Sequence, residues 1–246
     1  MKGKIAIVTG GTRGIGDAIS TRFLQDGATV IAVATNQAKC DQWVTAKKAK
    51  GFANVEAYEC NVTDFNACAA LVKKIKEKHG KVDILVNNAG ITADAGFKKM
   101  TKELWDKVIS TNLDSLFNMT RNVFEVMTEN KYGRIINISS VNGRKGCFGQ
   151  ANYASTKSAM YGFTKTLAAE GARSGITVNT ISPGYINTDM MKTIPKDVMD
   201  SKIISQIPVG RLGEPEEIAN AAAFIANDTG FLTGSDISIN GGQYMY

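Results

Sequence analysis

Thr9-Gly10-Gly11-Thr12-Arg13-Gly14-Ile15-Gly16 separates two segments of different periodicity. Before it, Ile5–Thr9 is a short, nearly uninterrupted apolar run, as expected of a strand covered on both faces. After it, apolar side chains recur at helical spacing, which predicts a helix over Ile15–Gln25. Glycines let a backbone turn sharply and come close to a pyrophosphate, whose charge is met by a helix N-terminus. The spacing is G-x-x-x-G-x-G rather than G-x-G-x-x-G, and its place between the first strand and the first helix marks it as a nucleotide-binding turn.

The same alternation continues to the end of the chain. Strands are predicted at Ile5–Thr9, Thr29–Ala34, Val55–Glu59, Ile84–Asn87, Arg134–Ser139, Ile176–Ile181 and Asp236–Ile239. Helices are predicted at Ile15–Gln25, Lys39–Lys50, Asp64–Lys78, Lys102–Glu129, Tyr153–Arg173 and Glu214–Ala226. Repeated βα units of this kind build an α/β fold on a parallel sheet. Neither a linker nor a repeat interrupts it, so residues 1–246 read as one domain. Only the stretch from Pro183 to Gly213 breaks the rhythm, with Pro183, Pro195 and Pro208 in it. It follows the carboxyl end of a strand, where open parallel sheets bind ligands, and reads as a substrate lid at about residues 184–213; a surface loop is the alternative.

Composition narrows the chemistry. The chain has 246 residues, a formal net charge of +6 and 43% hydrophobic content, values of an ordinary globular protein. The apolar run near Met1 is too short for a signal sequence or a membrane span, so a cytoplasmic location and no membrane partner are expected. Cys40, Cys60, Cys68 and Cys147 form no C-x-x-C pair and read as reduced thiols. His79, the only histidine, precedes Gly80 at a helix end, which argues against zinc, any other metal site and a Ser-His triad. No Arg/Lys stripe with interleaved aromatics points to nucleic acid.

An NAD site places an acid about 20 residues beyond the glycines to hold the ribose. Here the second strand ends in Ala34-Thr35-Asn36-Gln37, without one. Arg13 and Lys39 can instead bind a 2′-phosphate by charge-assisted contacts, which favours NADPH/NADP+; for Lys39 a solvated surface charge is the competing reading.

Tyr153-Ala154-Ser155-Thr156-Lys157 puts a phenol and an ammonium on one face of a helix. A free phenol titrates near about 10, but a nearby cation and a nicotinamide ring favour the phenolate, so a lowered pKa is expected for Tyr153. Ser140 lies just beyond the strand Arg134–Ser139, where a hydroxyl can donate to a substrate carbonyl; Ser139 is the neighbouring alternative. Asn87-Asn88-Ala89-Gly90 ends another strand at the same edge, and Asn112 falls inside the helix Lys102–Glu129, where an amide is ordinarily solvated.

Taken together, Thr9-Gly10-Gly11-x-x-Gly14-x-Gly16, Asn87-Asn88-Ala89-Gly90, Asn112, Ser140, Tyr153-x-x-x-Lys157 and Pro183-Gly184 resemble the short-chain dehydrogenase/reductase family in order and spacing over essentially the whole chain. The resemblance implies a single Rossmann-type doubly wound domain with a seven-stranded sheet and helices on both faces. It implies that Tyr153 is the general acid, that Lys157 holds the nicotinamide ribose, that Ser140 orients the carbonyl and that Asn112 anchors a water in a proton relay. By the same similarity Gly10, Thr12, Arg13, Gly14, Ile15 and Gly16 hold the pyrophosphate side, Asn61, Val62, Asn88, Ala89 and Gly90 the adenosine side, and Pro183, Gly184, Ile186 and Thr188 the carboxamide and phosphates. Asn61-Val62 departs from the Asp-Val of many members, although an amide oxygen can accept the same adenine bond.

Within the family, Ser139–Gln150, Ser182–Met190 and Asn240-Gly241-Gly242 are similar to members that reduce acetoacetyl-CoA, with those acting on 3-oxoacyl-[acyl-carrier-protein] close by. That similarity implies acetoacetyl-CoA or another short 3-oxoacyl thioester as substrate, (R)-3-hydroxybutyryl-CoA as product and a place in polyhydroxybutyrate or fatty acid synthesis. It also implies that Asp94, Phe148, Gln150 and Tyr185 shape the acyl pocket, with Met190 and Met191 packing on the pantetheine arm. A carrier-protein substrate would need a basic docking patch, for which Arg134, Arg173 and Lys98-Lys99 are candidates. A non-catalytic dinucleotide sensor is the reading from another class, disfavoured by the complete Ser140, Tyr153 and Lys157 set. Helices Lys102–Glu129 and Tyr153–Arg173 carry more apolar residues than one sheet-facing stripe needs, Leu104, Trp105, Leu113, Phe117, Ala159, Met160, Phe163 and Leu167 among them, so a homo-oligomer is expected. The family expectation is a homotetramer, with Gln243-Tyr244-Met245-Tyr246 at its interface.

Overall fold

A computed structural model describes residues 1–189, 191 and 196–245. The β-branched runs pair as expected into one sheet of β1 (Ile5–Thr9), β2 (Thr29–Ala34), β3 (Val55–Glu59), β4 (Ile84–Asn87), β5 (Gly133–Ile138), β6 (Ile176–Pro183) and β7 (Asp236–Ile239). Every pairing is parallel and the spatial order is β3-β2-β1-β4-β5-β6-β7. The direction of winding reverses between β1 and β4, and at such a switch point a crevice opens outside the strands' carboxyl ends. The fold is therefore a Rossmann-type doubly wound α/β domain.

Alternate residues of each strand face opposite layers. Ala6, Val8, Val30, Ala32, Ile84, Val86 and Ile136 pack against α1 (Gly14–Gln25), α2 (Gln37–Ala49) and α9 (Pro215–Asn227). Ile5, Ile7, Ile31, Val33, Leu85, Ile135 and Val178 pack against α3 (Phe65–His79), α5 (Ser115–Asn130) and α7 (Ala151–Gly171). Burial of each such side chain favours folding by about 1.5–3 kcal/mol, which makes the central strands the rigid platform of the site.

Local signals fix the helix ends. Asn36 Oδ1 accepts from Lys39 N at the start of α2, and Asp64 Oδ1 accepts from Asn66 N and Ala67 N at the start of α3. Helix α3 stops at Gly80, whose φ of 76° is the left-handed C-cap predicted beside His79.

One expectation fails in this layer. Lys102–Glu129 is not a continuous helix: α4 (Lys102–Ile109) passes through a π-helical turn, Ser110–Asp114, into α5. The extra residue of that turn rotates Asn112 inward, so it is fully buried instead of solvated. Shorter helical turns lie at α6 (Asn142–Lys145) and α8 (Lys196–Val198). Met190, Pro195 and Tyr246, named above for the lid and the interface, lie outside the described residues. No helix among the described residues is long and apolar enough to cross a membrane.

Candidate active site

The glycine turn leaves β1 and enters α1 without a side-chain cap. Arg13, the N-cap, has extended backbone and makes no capping bond, unlike the starts of α2 and α3. The first N–H groups of α1 are thus left for an external acceptor, at the positive end of the helix dipole. Two glycines make the approach possible. Gly14 has φ of 52°, and a Cβ there would stand 3.6 Å from Thr188 Cγ2, so Thr188 faces the turn across a narrow gap. A Cβ on Gly16 would lie 2.2 Å from Gly10 O and 2.6 Å from Asn88 Nδ2. The Asn88 side chain braces the turn by donating to Thr9 O at 2.9 Å, while Asn88 N and Ala89 N both donate to Thr9 Oγ1 at 3.0 Å. This cradle fits a dinucleotide pyrophosphate: free donors, room for backbone approach and a threonine on the opposite wall.

The adenosine side has both signs of charge. Arg13 and Lys39 are exposed and make no ion pair among the described residues. A carboxylate that the strand-end reading does not find comes from β3, where Glu59 Oε2 accepts from Gln37 N and Gln37 Oε1 accepts from Glu59 N, each at 3.2 Å. Sequence spacing hides it, because 22 residues separate the pair. Asn61 Oδ1, expected to meet adenine, accepts from Thr63 N at 3.1 Å and Thr63 Oγ1 at 2.9 Å. Val62 is buried and its carbonyl accepts from Asn118 Nδ2 at 3.0 Å.

Ser140, Tyr153 and Lys157 converge beyond β5. The Ser139 hydroxyl donates to Lys157 O at 2.8 Å and is buried there, which leaves Ser140 as the hydroxyl facing the phenol. Lys157 Nζ donates to Ile138 O at 2.6 Å and lies 5.6 Å from the centre of the Tyr153 ring. Burial lowers the Lys157 pKa to about 8. The expected lowering at Tyr153 is corrected: burial raises its pKa, and the Ser140 hydroxyl bonded to it opposes that only in part. The physical reason is the burial of the phenol, which penalises the phenolate, with Asp94, Tyr161 and Tyr185 acting in the same sense.

Asn112 completes the floor. Its Oδ1 accepts from Ile91 N at 2.8 Å and its Nδ2 donates to Ile91 O at 2.9 Å, clamping the segment that follows Gly90. A Cβ on Gly90 would stand 3.4 Å from Asn112 Oδ1 and 3.6 Å from Lys157 Nζ, so the absent side chain leaves open space above both.

On the acyl side, Gln150 Nε2 donates to Asp94 Oδ2 at 2.8 Å and Asn142 Nδ2 donates to Gln150 Oε1 at 2.9 Å. Burial raises the Tyr185 pKa, and the Asn142 amide acts in the opposite sense. Phe148 is 94% exposed, on the rim beside Gly96 rather than in the floor. The segment after Pro183 is pinned at both ends. Gly184 N donates to Ile239 O, and Ile186 bridges Gly213, with Asn187 N donating to Gly213 O. Tyr185, Met199 and Leu212 pack on Met191, Ile203 and Ile207.

Arg134 is corrected as a docking residue. It is 3% exposed at the amino end of β5, the edge away from the site, and donates to the carbonyls of Asp228, Gly133 and Gly175. Lys98 and Lys99 remain exposed in the turn Phe97–Lys99, next to the acyl rim.

A family model described as short chain dehydrogenase matches residues 4–199. An acetoacetyl-CoA reductase of Cupriavidus necator is 51% identical over 247 residues, covering the whole of both chains. One from Allochromatium vinosum is 50% identical over 99% of each chain. A 3-oxoacyl-[acyl-carrier-protein] reductase FabG of Vibrio cholerae is 44% identical over 100% of this chain and 99% of its own.

Proposed function

The chain belongs to the short-chain dehydrogenase family, and from that premise we propose that it reduces acetoacetyl-CoA to (R)-3-hydroxybutyryl-CoA with NADPH. It is an oxidoreductase acting on a CH–OH group. One observation carries the reading: the Ser140 hydroxyl and the Tyr153 phenol, near enough for the one to act on the other's proton, stand with the buried Lys157 ammonium at the sheet edge where the uncapped helix N-terminus points.

Ser140 Oγ–H donates to the C3 carbonyl oxygen of the substrate and polarises it. Tyr153 Oη–H, kept protonated at neutral pH by its buried setting, delivers the proton to that same oxygen. Nicotinamide dinucleotide, when bound, supplies the hydride. Lys157 has one N–H committed to Ile138 O, and its remaining N–H groups would hold the ribose hydroxyls of the nucleotide. Asn112 holds Ile91 and thereby Gly90, with both ends of its amide engaged. Arg13 and Lys39 form the cationic rim for a 2′-phosphate, opposed at one point by Glu59.

A second reading, reduction of the same thioester on an acyl carrier protein, is favoured by the exposed Lys98-Lys99 pair beside the acyl rim. Steady-state assays with acetoacetyl-CoA and acetoacetyl-carrier protein, each with NADPH and NADH, separate the alternatives. The expected order is a kcat/KM at least about tenfold higher for the CoA ester and for NADPH. Preference for the carrier protein would replace the substrate, and preference for NADH would replace the cofactor.

A further inference from the structure

Tyr161 has no part in the reaction described above, yet its phenol touches a residue on which that reaction depends. It stands one helical turn beyond Lys157 on α7 and is 8% exposed. Its hydroxyl donates to Ser140 O at 3.2 Å and lies 3.0 Å from Ser182 Oγ. Ser182, fully buried on β6, donates to Asp236 Oδ1 at 2.6 Å. On β7, Asp236 Oδ2 accepts from Arg144 Nε at 3.1 Å and from Arg144 Nη2 at 2.8 Å. The same guanidinium lies 3.6 Å above the centre of the Tyr161 ring. These contacts close a loop that starts from Ser140, crosses α7, β6 and β7, and returns through α6, four residues along the chain.

Proton accounting gives the loop a direction. A carboxylate can only accept, so Asp236 takes the one proton of Ser182. Ser182 Oγ is then left as an acceptor toward the phenol, and Ser140 O is an acceptor by nature. The Tyr161 proton therefore faces two acceptors and ties the end of β5 to β6 from the α7 side.

The carbonyl it holds belongs to the residue that polarises the substrate. Ser139 N donates to Ile181 O and Val141 N to Pro183 O, so the backbone on either side of Ser140 is fixed to β6. Between these anchors Ser140 O accepts from Gly143 N at 2.9 Å and from the Tyr161 hydroxyl. Ser140 Oγ accepts from Asn142 N at 3.1 Å, which leaves its own proton for a substrate carbonyl. Aim matters at such a group, because a misplacement of about 1 Å can cost about 10²-fold in rate.

Resting on the reduction proposed above, we propose that Tyr161 is a positioning residue that sets the aim of the Ser140 hydroxyl by holding the Ser140 carbonyl from below. It acts through Ser140 and not on the substrate. The Arg144–Asp236 pair supports it from two sides, covering the ring and fixing the direction of the Ser182 bond.

The test deletes one oxygen. Tyr161→Phe strands no partner, since Ser140 O keeps Gly143 N and Ser182 keeps Asp236. With acetoacetyl-CoA and NADPH, kcat should fall about three- to tenfold, the scale of one hydrogen bond, while KM and the NADPH dissociation constant stay within about twofold. In a Ser140→Ala background the same substitution should cost less than about twofold further, because the group it aims is gone. A purely structural role would add its full loss to that of Ser140→Ala, or would move KM and dinucleotide affinity together with kcat. Either result overturns the proposal, as does an unchanged kcat in Tyr161→Phe. If wild-type protein reduces acetoacetyl-CoA and Tyr161→Phe matches it, only the assignment to Tyr161 fails. If the wild type does not reduce acetoacetyl-CoA, the proposed reaction fails and the assignment with it.

Discussion

Lys157 is held in the folded protein at a pKa of about 8, below its ordinary 10.5, because burial penalises the ammonium. The folded state therefore binds fewer protons than the unfolded chain between those two values. Burying the charged lysine opposes folding below pH 8, and that penalty fades as pH rises from 8 toward 10.5. Function runs the other way, since only the ammonium can serve the ribose as a cation. The dissociation constant for NADPH should rise above about pH 8 in the wild-type protein, and the same titration of Lys157→Ala should be flat across that range. A wild-type profile flat from pH 7 to about 9.5 would remove Lys157 from the cofactor site. Ser140, Tyr153 and Lys157 were legible in the sequence because their chemistry is local, a strand end and one helical turn. Asn142 and Glu59 were not. Their partners Gln150 and Gln37 are brought to them by the fold, and nothing in the adjoining residues marks the contact.

The glycine turn behaves as an element in which three segments touch: β1, α1 and the Asn88 loop after β4. Gly16→Ala puts a carbon 2.2 Å from Gly10 O, so backbone must move. Thermal unfolding should reveal a loss of about 1–3 kcal/mol, and dinucleotide affinity should fall with it. Unaltered stability and affinity in this variant would mean that the cradle is not closed as described. Most elements were readable at this scale: five strands match their expected limits, β5 is shifted by one residue at each end, and β6 runs two residues further at its carboxyl end. The π-helical turn was hidden because apolar spacing continues through it and no glycine or proline announces it. Asn112, a polar residue amid that spacing, was the only sign, and its ordinary reading as a solvated amide pointed outward. The short helix Asn142–Lys145 was hidden too, since four residues are too few for any periodicity.

For the whole molecule, α3 and α5 leave Phe65 stacked on Phe117 with ring centres 6.0 Å apart, and Phe117 is 52% exposed. Phe224 and Phe231 are also exposed, on α9 and the loop that follows it. Exposed aromatic pairs such as Phe65 and Phe117 are an ordinary feature of interfaces. We expect sedimentation at micromolar concentration to give a homotetramer, and Phe117→Glu to shift it to smaller species; a wild-type monomer would contradict this. Strand order is the feature least accessible from the sequence, because alternation identifies strands without ranking them across the sheet. That order has a consequence for biosynthesis. β1, which precedes the other strands of the sheet in the sequence, becomes central, and the sheet is completed outward on both sides, with β7 the last of its strands in the sequence. Since Gly184 N is held by Ile239 O, the nascent chain lacks the wall opposite the glycine turn until β7 has been made. A prematurely terminated product would release an incomplete sheet with β6 as an unprotected edge, prone to aggregate rather than to work at reduced capacity.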